Sequence, residues 1–225
     1  MPAAIRTAPW RQAALTVATL AVLMATPAAW ADVELTDLPG VSTSANSCYL
    51  QTCGVPGTFS DRNIIDNRAY LPGSGGNGWS AGDHGSAANP NWVRVDFGAA
   101  YLLSSVSLRF HDNAGGWQGY TNIYELRGSV DASAWQTLGS GTLIDLSGNF
   151  AALNDSYSWA GDARPAARWL EYRVVGGTHW SALDEINAMG SPVAVPEPGT
   201  WALMATGGWF TVWLSRRRTA ALRRG

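Results

Sequence analysis

The feature that most limits how this chain can fold is a strict alternation. In NWVRVDFG, residues 91–98, Val93, Val95 and Phe97 fall on one side and Arg94 and Asp96 on the other. SSVSLRF, residues 104–110, repeats the pattern with Val106, Leu108 and Phe110 against Ser105, Ser107 and Arg109. NIYELRGSV and RWLEYRVVGG alternate less strictly. A period of two built from β-branched and aromatic residues predicts antiparallel strands with one buried face and one wet face. Clusters of Gly, Asn and Asp at LPGSGGNG, HDNAGGWQGY and LSGNFAALNDS mark long loops. No helical period is sustained between the two ends of the chain. The middle therefore predicts an all-β sandwich.

The 225 residues leave room for one such domain plus processing segments. All 15 basic residues are arginines, and they are unevenly spread. Between residues 32 and 195 there are 8 arginines against 16 acidic residues, a net of −8. A domain that acidic repels phosphate backbones, which excludes nucleic acid as a partner.

The two ends read as addresses. Residues 1–31 have a basic start, the apolar run AALTVATLAVLMA, and small residues at Ala29 and Ala31. This is the pattern of a signal helix cut by signal peptidase after Ala31. At the other end, Thr200 to Leu214 spans only ~22 Å as a helix. That is marginal for a hydrocarbon core of ~30 Å. Pro196 and Pro198 break it on one side, and Arg216, Arg217 and Arg218 hold the other side in the cytoplasm. A short transmembrane helix of this kind suits a transient inner-membrane anchor with the domain in the periplasm.

Pro196-Glu197-Pro198, an apolar segment and a terminal arginine cluster occur in that order, and residues 192–225 resemble a PEP-CTERM sorting signal. The resemblance implies an exported protein of an exopolysaccharide-producing bacterium, processed near the motif by an exosortase-type enzyme. It makes Pro196, Glu197 and Pro198 a recognition site for that enzyme. Export bears on the only two cysteines, Cys48 and Cys53 in CYLQTC. An oxidising compartment favours a small disulfide loop between them. A metal site would need further ligands close by, and the sequence offers none.

The order of landmarks across residues 60–191 carries a second resemblance. NIIDN, Trp79, NWVRVDFG, VSLRF, IYELRGSVDASAW, RWLEYRVV and ALDEINAMG follow one another as in the discoidin, or coagulation-factor C-type, family. The resemblance implies a galactose-binding-like jelly-roll sandwich. Residues 32–59, with the cysteine loop, fall outside it and form a separate N-terminal segment.

No catalytic constellation is visible. The histidines His84, His111 and His179 form no H-E-x-x-H, and there is no G-x-S-x-G. GSGGNG, residues 73–78, matches G-x-G-x-x-G, but no helix start follows it, so it reads as a loop. Binding is better supported, because sugars offer apolar C–H faces and hydroxyl edges to aromatic platforms and planar polar groups. RFHDNAGGWQGYTN and GGTHWSALDE concentrate such residues. Carried over from carbohydrate-binding members of the family, the site is expected at Arg109, His111, Trp117, Tyr120, His179 and Trp180. Trp79, Trp92, Trp135 and Trp169 are expected to close the core.

The resemblance also implies a structural Ca2+ held by Asp66 and Glu185. Asn67 and Arg68 stand where the family has Gly and often a second Asp, so Arg68 either fills that site with its own charge or points away. The function expected is a non-catalytic surface or exopolysaccharide-matrix protein that binds carbohydrate. The alternative is a structural or adhesion protein that binds proteins; the same fold serves both.

Overall fold

The computed structural model describes residues 31–55, 59–68, 78–110, 121–144 and 153–193. The signal segment and the sorting tail lie outside them. Ten strands follow in chain order: β1 (Val33–Glu34), β2 (Ser42–Ala45), β3 (Trp79–Ser80), β4 (Asn91–Phe110), β5 (Thr121–Ser129), β6 (Gln136–Ile144), β7 (Leu153–Ser158), β8 (Ala166–Thr178), β9 (Ala182–Leu183) and β10 (Glu185–Pro192). Helix among the described residues is limited to single 3-10 turns at Tyr49–Gln51, Asp61–Ile65 and Gly161–Ala163.

The architecture turns on β4. Its first half pairs with β8, from Asn91 opposite Val174 to Asp96 opposite Trp169. The register then slips before Tyr101, which faces Ala167. Gly98, at φ +78, supplies the left-handed backbone that this bulge requires. The second half pairs with β10 on one side and β7 on the other. One strand thus serves two layers: β2-β4-β8-β5-β6 in front and β1-β10-β4-β7 behind. The layers close on each other, since Asn122 of β5 donates to the carbonyl of Ala182, and Asp184 N–H reaches Arg109 O.

The alternation appears as expected on the inner faces. Val93, Val95, Val106 and Leu108 have no exposed surface, and Phe97 and Phe110 are nearly as deep. From β8 come Leu170, Tyr172 and Val174, and from β5 Tyr124 and Leu126. Each such side chain contributes roughly 1.5–3 kcal/mol by leaving water. Trp79 is buried as anticipated, with its indole N–H donating to Ser47 O.

The other three tryptophans depart from the expectation. Trp92, Trp135 and Trp169 are only half-buried, and Trp92 and Trp169 occupy outward positions of the front layer. There, Glu171 on β8 bridges Arg94 of β4 and Arg127 of β5 at 2.6 and 3.2 Å. The Arg94 guanidinium lies 3.8 Å from the Trp92 ring and 4.7 Å from Trp135. Cation–π contact and stacking give these rings a partner that a core would otherwise have supplied.

The N-terminal segment is part of the sandwich. β1 extends the back layer through β10, and β2 extends the front layer through β4. Cys48 and Cys53 form a disulfide.

Candidate functional site

The strand ends sort the connections into two groups. Asn91, Phe110, Thr121, Ile144, Leu153, Thr178 and Glu185 all end or begin strands at one end, because Thr121 faces both Ile144 and Thr178, while Phe110 faces Leu153. Segments 46–53, 81–90 and 178–184 therefore meet there.

A cleft of about 480 Å³ opens at this end. Asp83, His84 and Asn89 line it from the turn before β4, Asn46 from the end of β2, and Asn91 and Trp92 from β4 itself. Side-chain hydrogen bonds brace the turn. The buried Asn91 side chain donates to the Asp83 carboxylate at 2.7 Å and to Ser181 Oγ at 3.1 Å. Gly85 N–H also reaches Ser181 Oγ, and Asn46 takes Trp92 N–H at 2.8 Å while donating to Pro90 O. A Cβ on Gly85 would stand 2.3 Å from Val174 O, so the turn is seated directly on β8. With Asn46, Asn91 and one Asp83 carboxylate oxygen occupied in bracing, His84, Asn89 and the other Asp83 oxygen are among the polar groups that can meet a ligand beside an indole ring.

Of the residues expected from sequence, His179 and Trp180 stand at this end. His179 is exposed and holds a left-handed φ of 63°. Trp180 packs against the core edge and stacks on Tyr49 of the disulfide loop, with ring centroids 4.8 Å apart. His111, Trp117 and Tyr120 lie outside the described residues, as do Pro196, Glu197 and Pro198. Sequence reasoning missed Asp83, His84 and Trp92. The signal available was the polar run DHGSAANP ahead of β4, which contains one of three histidines.

Arg109 is engaged elsewhere. Its Nε donates to Asp184 at 2.5 Å, and its Nη2 donates to Arg68 O at 2.7 Å and to Glu185 at 3.3 Å. Burial pushes the Glu185 carboxyl up to about 8, against the pull of Arg109. Burial likewise raises Asp66, whose carboxylate already accepts Arg68 N–H at 2.9 Å.

These residues decide whether the implied Ca2+ fits. Ca2+ takes roughly six to eight oxygens at ~2.3–2.6 Å. Here the Arg68 carbonyl and one Glu185 oxygen are turned to a guanidinium. Among the described residues, the one group of three metal-type side chains within 4.8 Å is Cys48, Cys53 and Asp61, and its sulfurs are joined to each other. Asp66, Asp184 and Glu185 do not converge in that way. As placed, the described donors do not form a calcium shell.

Comparison with known proteins agrees with this architecture. The F5/8 type C domain profile matches residues 42–186, and the PEP-CTERM protein-sorting motif matches residues 194–218. The second match marks an exported protein sorted to the cell envelope. Among solved structures, the family 32 carbohydrate-binding module of Clostridium perfringens NanJ, in complex with galactose, is 18% identical. Its TM-score is 0.50, with 71% of this chain and 99% of that one covered. A fragment, residues 298–461, of a Bacteroides thetaiotaomicron protein is 19% identical with a TM-score of 0.52, covering 76% and 99%. No curated protein sequence matches. The sandwich, its loop end and a profile match over most of the described domain lead to one conclusion: this chain belongs to the F5/8 type C domain family.

Proposed function

We propose that this is an exported, non-catalytic protein whose domain binds carbohydrate at the loop end. The observation that carries the reading is the braced cleft in which Asp83, His84 and Asn89 stand beside Trp92. A pyranose offers a hydroxyl edge to such polar groups and a C–H face to an indole. His179 and Trp180, together with the sequence candidates His111, Trp117 and Tyr120, complete the proposed set of sugar-contacting residues. The domain's charge of −8 favours neutral or cationic glycans over polyanions.

The rest of the proposal follows the two ends of the chain. Signal peptidase cuts after Ala31. The tail holds the protein briefly in the inner membrane, and an exosortase-type enzyme processes it at Pro196-Glu197-Pro198. The product resides at the surface or in an exopolysaccharide matrix.

The test is the exported full chain, purified in detergent, on a broad glycan and polysaccharide panel. Binding that falls roughly tenfold or more in Trp92→Ala and in His84→Ala supports the reading. A folded sample that binds no glycan overturns it and favours a structural or adhesion role with protein partners.

A further inference from the structure

We infer that Arg109 is the resident cation of this domain: its guanidinium ties the Asp66–Arg68 turn to the start of β10, and the domain folds without calcium.

The geometry is that of a clasp. Three acceptors from two separate segments face one side chain: the Arg68 carbonyl, Asp184 and Glu185, at 2.7, 2.5 and 3.3 Å. Two carboxylates and a backbone carbonyl are hard oxygen donors, the class a divalent ion would select. A guanidinium presents five N–H groups in a fixed plane and serves the same oxygens without an ion.

Arg109 is also fixed in place by its own backbone. Its strand position is opposite Glu185 on one side and Asn154 on the other. Its carbonyl takes the Asp184 N–H at 2.9 Å. The side chain therefore leaves the sheet directly over the two acids.

Burial favours the clasp. The Asp184 and Glu185 side chains are 3% and 1% exposed. A carboxylate that deep is costly unless it is paired, and the guanidinium gives Asp184 an ion-pair partner and Glu185 a hydrogen-bond donor. Glu185 Oε1, moreover, has no hydrogen-bond partner among the described residues. Without the arginine, these oxygens would lose their cation, with the Asn67 N–H still donating to Glu185.

The experiment uses the exported full chain in detergent. Wild-type protein is melted in CaCl2 and in EDTA, and titrated calorimetrically with CaCl2. Equal midpoints and no binding heat are expected. Arg109→Ala is expected to melt about 5–10 °C lower in EDTA, to regain part of that in CaCl2, and to lose the response when combined with Glu185→Gln. A wild-type midpoint that rises in calcium, or a saturable wild-type heat, overturns the inference. So does an Arg109→Ala protein that melts with the wild type, or one that is destabilised yet indifferent to calcium. If Arg109→Ala does not fold, the wild-type titration alone decides.

Discussion

Tyr49 lies on Trp180 with its ring tilted by 29°, so a residue of the disulfide loop backs a residue of the β8–β9 connection. Phe59 meets the same tyrosine edge-on at 5.6 Å. The Cys48–Cys53 closure keeps Tyr49 in this stack by limiting the loop's alternatives. For so short a loop, the chain-entropy contribution is about 2 kcal/mol. Cys48→Ser with Cys53→Ser should lower unfolding stability by about that much in urea titration. It should also raise the hydrogen-exchange rate of the Trp180 backbone amide more than that of Val95.

Gly85→Ala tests the seat of the cleft. The new Cβ would meet Val174 O at 2.3 Å and Asn91 N at 2.8 Å, both backbone atoms that cannot swing away. The turn must lift off β8, and the hydrogen bond from Gly85 N–H to Ser181 Oγ goes with it. We expect stability to fall by about 1–3 kcal/mol. Any glycan affinity should fall more than it does in Gly98→Ala, which strains the left-handed backbone at φ +78 but does so at the far end of the strands from the cleft.

Glu171→Gln tests the outer face. The glutamate's side chain is 2% exposed and serves two arginines, whose side chains are 26% and 20% exposed. The neutral amide leaves both guanidiniums without their anion. Because they keep contact with water, the expected loss is about 1–3 kcal/mol, below that for a fully buried pair. Chemical denaturation of the variant beside wild type measures it.

Asp96 gives a pH dependence. The Arg168 guanidinium grips its carboxylate at 2.8 and 2.9 Å, and Gly98 N–H adds a bond at 2.8 Å. The arginine, and then the Gly98 amide, hold this carboxyl below its ordinary value against the opposing effect of burial. The unfolded state thus binds the proton first as pH falls. The stabilisation is present above the unfolded value, near 3.9, and is lost as pH drops through the lower folded value. Asp96→Asn should flatten the stability profile below about pH 4. An unchanged slope there would reject the assignment.

What was legible in the sequence was whatever the pleat alone dictates. The alternation of Val93, Val95 and Phe97 with Arg94 assigns faces with no knowledge of neighbours. The tryptophans were harder, because an indole has two ways to leave water: into a core, or against a guanidinium. Trp92 adjoins Val93, so its own position already directed it outward, but its partner Arg94 becomes meaningful only with Glu171 in register across the sheet. The cleft was illegible for a similar reason. Asn46 and Pro90 are 44 residues apart and meet through the pairing of β2 with β4. Arg109 was placed correctly on the wet side of its strand. Its choice of two acids and a carbonyl over a sugar depends on where β10 begins.

The register of β10 has a mechanical consequence. Glu185 is beside Arg109 at the loop end, whereas Pro192 is beside Tyr101 and Val193 bonds to Ala100 at the far end. The chain leaves this domain about 25 Å from the cleft, taking ~3.3 Å for each strand residue. A load applied between something gripped at the loops and the continuing chain would run along the strands. The β10–β4 hydrogen bonds would then be sheared together instead of being peeled one at a time. For a protein held by its C-terminal side against flowing water, that is the orientation in which a sheet yields last.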